Sequence, residues 1–344
     1  MTKFTLSDLG WSDHFASQLE SDDASLTPAR IAEVHRDRLS VLTEAGEISL
    51  HPREAAGAYA VGDWVLSDGQ SALRRLEPTT DVIRRAAGHG VATQRIAANV
   101  DTIGIVTSCN EDFNIARMER YLALVSASGA LPLVILTKAD MCDDAQVFVT
   151  RAERLSPLVT AIALNAKDPE DAERLAPWCS KAQTLALLGS SGVGKTTLRN
   201  HLTGETAATQ GIRADDAKGR HTTTSRALRP TLTGGWLIDT PGMRELQLSD
   251  ASEGIGAVFD DIEDLATQCR FNDCAHDKEP GCAVKAALES GTLDAERVAR
   301  WQKLRREDSY NSETIAESRA RHRSFQRMVN EAKHVARNKR DTER

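Results

Sequence analysis

Short runs in which apolar and polar residues alternate occupy the first part of the chain: Ile31–Val34, Leu39–Thr43, Ile48–Leu50, Trp64–Leu66 and Ala72–Leu76. Turn formers separate them, at Gly46, Pro52, Gly57, Gly62-Asp63 and Asp68-Gly69. A period of two places alternate side chains on opposite faces of a strand, and strands this short bury a core best by closing on one another. The expectation is a small β-barrel of OB type over residues 30–90. Barrels of this kind commonly bind oligonucleotides, an argument from fold alone. Ahead of it, residues 1–29 read as a polar, acidic leader with one apolar patch around Leu9, Trp11 and Phe15.

After a linker containing Gly88-His89-Gly90 the pattern changes. Continuous apolar runs at Thr102–Thr107, Leu131–Leu136 and Leu158–Leu164 read as buried strands, as does the run that enters Gly189. Between them, Ile115, Met118, Leu122 and Val125 recur at helical spacing, and helices are expected over Ala145–Leu155 and around Ala172–Pro177. Strands and helices in alternation predict a parallel α/β sheet covered on both faces, spanning residues 95–250. Leu293–Arg306 and Glu313–Arg340 read as helices of a third unit, residues 255–344.

Composition narrows the class. With 344 residues, 40% hydrophobic and 27% charged, the chain is sized for two or three globular domains. No apolar run approaches the roughly 20 residues of a membrane span, and Met1-Thr2-Lys3-Phe4 does not begin a signal-peptide pattern. Charge is unevenly spread. Residues 319–344 hold nine basic and three acidic side chains, a net +6, so the rest carries −13 of a total of −7. An acidic body with a basic end suits local contact with a polyanion.

The chemistry is concentrated in a few segments. Gly189-Ser190-Ser191-Gly192-Val193-Gly194-Lys195-Thr196 satisfies G-x-x-x-x-G-K-[ST], with an apolar run before it and a helix expected from Thr197 to Leu202. Glycines let such a loop turn its N–H groups onto phosphate oxygens, and the helix N-terminus adds a favourable dipole. Lys195 then reaches the β- and γ-phosphates and the Thr196 hydroxyl meets Mg²⁺. The chain is therefore expected to bind a nucleoside triphosphate. Thr137-Lys138-Ala139-Asp140 follows a strand, at the sheet edge where open α/β folds bind ligands. A carboxylate there accepts both N1–H and N2–H₂ of guanine, and adenine offers no equivalent pair. Asp239-Thr240-Pro241-Gly242 also ends a strand, with Asp239 able to hold Mg²⁺ through water and the Gly242 N–H facing the γ-phosphate. Cys269, Cys274, His276 and Cys282 form a full tetrahedral zinc set without an open position, hence a structural one. Such cysteine use suits a reducing cytosol.

These segments, with Gly219-Arg220-His221-Thr222-Thr223-Thr224 and Ala97-Ala98-Asn99-Val100-Asp101, resemble GTPase elements in permuted order: the guanine element precedes the phosphate loop. A barrel before them and C-x₄-C-x-H-x₅-C after them resemble the circularly permuted GTPases of the small ribosomal subunit, the RsgA family. The resemblance implies a guanine pocket of Thr137, Lys138, Ala139 and Asp140, with Asn165-Ala166 at the base edge. It places Gly189 to Thr197, Asp239 and Gly242 around the phosphates, and Thr223 beside Thr196 on magnesium. Thr137 stands where Asn is commoner, and Asn165 where Ser is usual. Met243 occupies the position of the water-orienting Gln of Ras-like enzymes and cannot do its work. His221 then becomes the candidate for that task, with Lys195 and Thr223 as the other catalytic groups. The implied protein is a cytoplasmic, monomeric GTPase acting late in small-subunit maturation, binding rRNA and stimulated by the subunit. It carries one structural Zn²⁺, uses Mg²⁺ with GTP and touches no membrane. The alternative is a nucleotide-dependent RNA-binding scaffold or chaperone with incidental hydrolysis.

Overall fold

The structure, a computed structural model, describes residues 3–85, 93–205, 226–239 and 251–312. Five strands follow a one-turn helix α1 (Asp13–Ala16): β1 (Thr27–Val34), β2 (Leu39–Thr43), β3 (Gly46–Pro52), β4 (Trp64–Ser67) and β5 (Ser71–Arg75). β1 pairs antiparallel with both β2 and β4, and β3 lies parallel to β5, so the order 1-2-3-5-4 closes on itself. The five-stranded barrel is present, and Ile31, Leu39, Val41, Leu50 and Val65 fill it. A bulge between Ile31 and Glu33 bends β1, the device by which one strand turns away from a sheet.

Next, β6 (Asp81–Arg85) pairs antiparallel with β7 (Thr93–Ala98). The expected linker at Gly88-His89-Gly90 lies outside the described residues. Then come β8 (Thr102–Ser108), α2 (Ile115–Ser128), β9 (Leu131–Thr137), α3 (Ala145–Glu153), β10 (Thr160–Ala163), α4 (Pro169–Glu173), β11 (Thr184–Gly189), α5 (Lys195–Thr203), β12 (Ala227–Pro230) and β13 (Trp236–Asp239). The sheet order is β10-β9-β8-β11-β13-β12, parallel except for β12. Alternate residues serve its two faces: Val106, Leu133, Ile135, Leu185 and Leu187 on one, Ile105, Val134, Leu136, Ala186 and Leu188 on the other. Several expected boundaries shift by a few residues. The strand expected over 158–164 shortens to β10 because Leu158 and Val159 turn, and the helix expected near 172–177 starts at Pro169, a residue suited to a first turn, with Asp168 as its cap.

The acidic leader is docked. Leu9 and Phe15 are buried, Trp11 meets Trp64 edge-on at 4.8 Å, and Trp236 Nε1 donates to the Asp8 carbonyl at 2.8 Å. Arg30, fully buried, donates to the Leu9 carbonyl (2.7 Å), the Asn99 carbonyl (3.2 Å) and Thr184 Oγ1 (2.8 Å), and burial lowers its pKa to about 10. One guanidinium thus ties leader, barrel and α/β sheet together.

The C-terminal part consists of α6 (Ser252–Val258), α7 (Asp260–Ala266), α8 (Ala283–Glu289) and α9 (Ala295–Ser312). It packs on α2, where the buried Glu119 carboxylate accepts from Arg300 Nε at 2.6 Å and Arg297 Nη1 at 3.2 Å. Among the described residues no helix is long and apolar enough to cross a membrane. The expected helix over 313–340 and the basic tail lie outside the described residues.

Candidate nucleotide site and metal knuckle

β11 delivers Gly189 to the carboxyl edge of the sheet, the loop turns through Gly192 and Gly194, and α5 begins at Lys195. Gly189 has no room for a side chain: a Cβ there would lie 2.1 Å from the Val106 carbonyl oxygen on β8. Gly194, in the left-handed region (φ +97), would place a Cβ 3.4 Å from Ala166 and 3.5 Å from Thr137. α5 starts directly at the end of the loop without a side-chain cap, the arrangement in which a helix N-terminus receives an anion. Lys195 Nζ folds over the loop and donates to the Gly189 carbonyl (2.7 Å) and the Ser190 carbonyl (2.6 Å).

The segment Thr137 to Asp140, expected to read the base, arrives from two strands away. β9 lies next to β8, and β8 next to β11, so Thr137 ends level with the loop. Its buried hydroxyl donates to the Val193 carbonyl at 2.7 Å, with the Thr107 carbonyl at 3.1 Å. Through this hydroxyl, Thr137, which stands where Asn is commoner, is tied to the phosphate loop. Lys138 adopts a left-handed conformation (φ +57) and the next turn carries Asp140 to the surface. A second connection follows β10: the Ala139 N–H donates to the Leu164 carbonyl at 3.3 Å, and Asp171 Oδ2 accepts the Asn165 N–H at 2.8 Å. That backbone bond chiefly holds the Asp171 carboxyl below its ordinary pKa. Asn165 turns its own Oδ1 to the Lys167 N–H, and Ala166 is buried beside Gly194. Thr137 to Asp140, Asn165-Ala166 and Gly189 to Thr197 therefore share one edge of one sheet.

Asp239 ends β13 beside β11, with its Oδ2 accepting from Arg199 Nη1 at 2.8 Å. Both side chains are largely buried. Arg199 is one turn past Lys195 on α5, a contact that no motif announces. The Thr196 hydroxyl and the Asp239 carboxylate are hard oxygen donors of the kind Mg²⁺ takes. His221, Thr222, Thr223, Thr224, Gly242 and Met243 lie outside the described residues.

The four zinc candidates converge as well. Their ligand atoms all lie within 4.8 Å of one another. Cys269 and Cys282 sulfurs are 3.9 Å apart, and each lies 3.5 Å from His276 Nδ1. A tetrahedral ion with Zn–S near 2.3 Å and Zn–N near 2.0 Å asks for separations of about 3.8 and about 3.5 Å. The donor set fits zinc in chemistry, and Cys269, Cys282 and His276 already stand at the spacing it needs. Burial lowers the His276 pKa and keeps the ring in its neutral, ligating form. Burial alone would raise the Cys269 thiol, but the N–H groups of Ala283 and Val284 and the neighbouring thiols outweigh it and favour the thiolate. His276 also lies against Trp301, joining the knuckle to α9.

Sequence comparisons agree with this geometry. Residues 76–249 match the family described as RsgA GTPase. The chain is 54% identical over 316 residues to the small ribosomal subunit biogenesis GTPase RsgA of Mesorhizobium japonicum, covering 90% of this chain and 91% of that one. It is 47% identical over 331 residues to small ribosomal subunit biogenesis GTPase RsgA 2 of Vibrio parahaemolyticus, covering 95% and 92%. Among solved structures, YjeQ from Thermotoga maritima superposes with a TM-score of 0.58 at 22% identity, over 81% of this chain and 97% of that one. YloQ, described as a circularly permuted GTPase, gives 0.58 at 23% identity over 86% and 100%. At such identities these two establish the shared fold.

Proposed function

The chain belongs to the RsgA GTPase family, and from that premise we propose that it hydrolyses GTP to GDP and phosphate as a late maturation factor of the small ribosomal subunit. One observation carries the site: the Thr137 hydroxyl on the Val193 carbonyl, which joins the base-reading segment to the phosphate loop. Asp140 reads the guanine edge, and a pocket built on those paired hydrogen bonds rejects adenine strongly. The N–H groups from Ser190 to Thr196, with Gly189 setting the turn, cradle the phosphates, and Lys195 moves its ammonium from loop carbonyls to phosphate oxygens. Thr196 and Asp239 hold Mg²⁺, with Thr223 and the Gly242 N–H completing the γ-phosphate end. A magnesium ion held there would supply positive charge against that developing on the transferred phosphoryl group.

His221 orients the attacking water in place of the Gln that Met243 displaces. Because the switch residues around it are set by γ-phosphate contacts, a docked subunit that orders them accelerates turnover. Cys269, Cys274, His276 and Cys282 hold one structural Zn²⁺, and the barrel and the basic residues 319–344 face rRNA. The fitting experiment measures GTP turnover alone and with added small or large subunits, for wild type and His221→Ala. Strong stimulation by the small subunit alone, lost in the variant, is expected. Equal stimulation by both subunits would overturn the partner, and an unchanged variant would overturn the role of His221. Asp140→Asn should trade GTP for xanthosine triphosphate.

A further inference from the structure

Helix α2 touches the phosphate loop and the C-terminal helices at once. Asn114 caps it, accepting the Arg117 N–H at 2.9 Å. The Arg117 guanidinium then reaches back, donating through Nη1 to Asp112 Oδ1 at 3.0 Å and through Nη2 to the Asp112 carbonyl at 3.1 Å. The same Nη1 donates to the Ser190 hydroxyl. Ser190 is the second residue of the phosphate loop, nearly buried, and its carbonyl is one of the two that hold Lys195 Nζ. One turn along α2, the Tyr121 hydroxyl meets the same serine. The helix is fixed in between: Glu119 is clamped by Arg297 and Arg300, and Arg120 pairs with Glu307 of α9.

A loop that must turn its N–H groups and one ammonium onto phosphates binds more tightly when it is ordered beforehand. We infer that Arg117 is a positioning residue for GTP binding: it anchors Ser190, and so holds the loop in the shape that receives the phosphates. This rests on the reading of residues 189–196 as the nucleotide loop. Arg117 acts on the loop through the Ser190 hydroxyl. Its contribution is therefore the same for bound GTP and for the transition state, and its loss falls on KM with kcat kept. A lysine cannot replace it, because a single ammonium does not reproduce the fork that spans Asp112 and Ser190.

The test uses the full-length, zinc-loaded protein and measures GTP and GDP affinity together with steady-state turnover. Arg117→Gln and Arg117→Lys should each raise KM and the GTP Kd about tenfold, the worth of one charge-assisted hydrogen bond, with kcat within about twofold. Ser190→Ala, a change of one hydroxyl that leaves the fold intact, should do the same. The double variant Arg117→Gln/Ser190→Ala should be no worse than either single one, since both remove one interaction. Unchanged KM in Arg117→Gln, or strictly additive losses in the double variant, would overturn the inference while wild-type GTP binding stands. If wild type itself binds no GTP, the reading of the loop falls first and this inference with it.

Discussion

The nucleotide site and the zinc knuckle are both ligand sites, yet they are built in opposite ways. The knuckle draws its four donors from fourteen consecutive positions, 269–282, and turns of the main chain bring them together. The nucleotide site gathers residues 137–140, 165–166, 189–197 and 239 from the ends of four strands. In the first, an ion held by these donors would tie together a segment too short to make a core of its own. In the second, a sheet buried on both faces holds the loops, and the ligand adds little to their folding. A locally encoded site depends on its ligand for shape, while a site assembled by a sheet has its shape beforehand.

The largest test of that contrast is metal removal. Structural zinc contributes about 10–16 kcal/mol in small zinc domains. Chelation, or Cys282→Ser, should melt the knuckle and α8, seen as a separate early transition with loss of bound zinc. GTP affinity should fall by no more than the roughly tenfold tied to Arg117. If GTP binding disappears altogether, the two sites are not independent and the comparison breaks. Next in size, Gly189→Ala forces a methyl onto the Val106 carbonyl, 2.1 Å away. It should cost about 3 kcal/mol, read as a lowered Tm of the α/β part with zinc content unchanged.

Thr137→Val keeps shape and removes the hydroxyl that reaches Val193. A loss of about 1–2 kcal/mol is expected, with weaker GTP and GDP binding by titration and an unchanged preference for guanine, because Asp140 remains. The smallest effect concerns pH. The Asp171 carboxyl is held below its ordinary pKa mainly by the Asn165 N–H, so its contribution is present above the unfolded carboxylate pKa of about 3.9 and is lost as pH falls further. Asp171→Ala should therefore weaken GDP binding by a constant factor from pH 8 to 5. The gap to wild type should close below about pH 4.

Much of this molecule is written locally. The spacing of Cys269, Cys274, His276 and Cys282, the run Gly189 to Thr196 and the alternation of the barrel strands are each short-range patterns, and each reports its element without reference to the rest. The pairing of β6 with β7 was not legible, because each run is short and interrupted by charge at Asp81, Arg84, Arg85 and Arg95. Short helices such as α6 and α7 carry too few turns for a period to show.

By itself, then, the amino-acid sequence pointed to the ligands, through a loop of the triphosphate-binding pattern, a carboxylate placed as guanine recognition requires, and a tetrahedral thiolate and imidazole set. Only the folded chain decided what holds them. The leader became a wedge because Leu9, Trp11 and Phe15 had an apolar seam to fill beside Trp64, and Arg30 closed that seam from residues far apart in the chain. Arg117 reached Ser190, Arg199 reached Asp239 and Glu119 found two arginines in the same way. Ligand chemistry depends on residue type and near spacing, which a linear reading carries. A buried polar partner is chosen by whichever donor the packing leaves within about 3 Å, and that distance exists only in three dimensions.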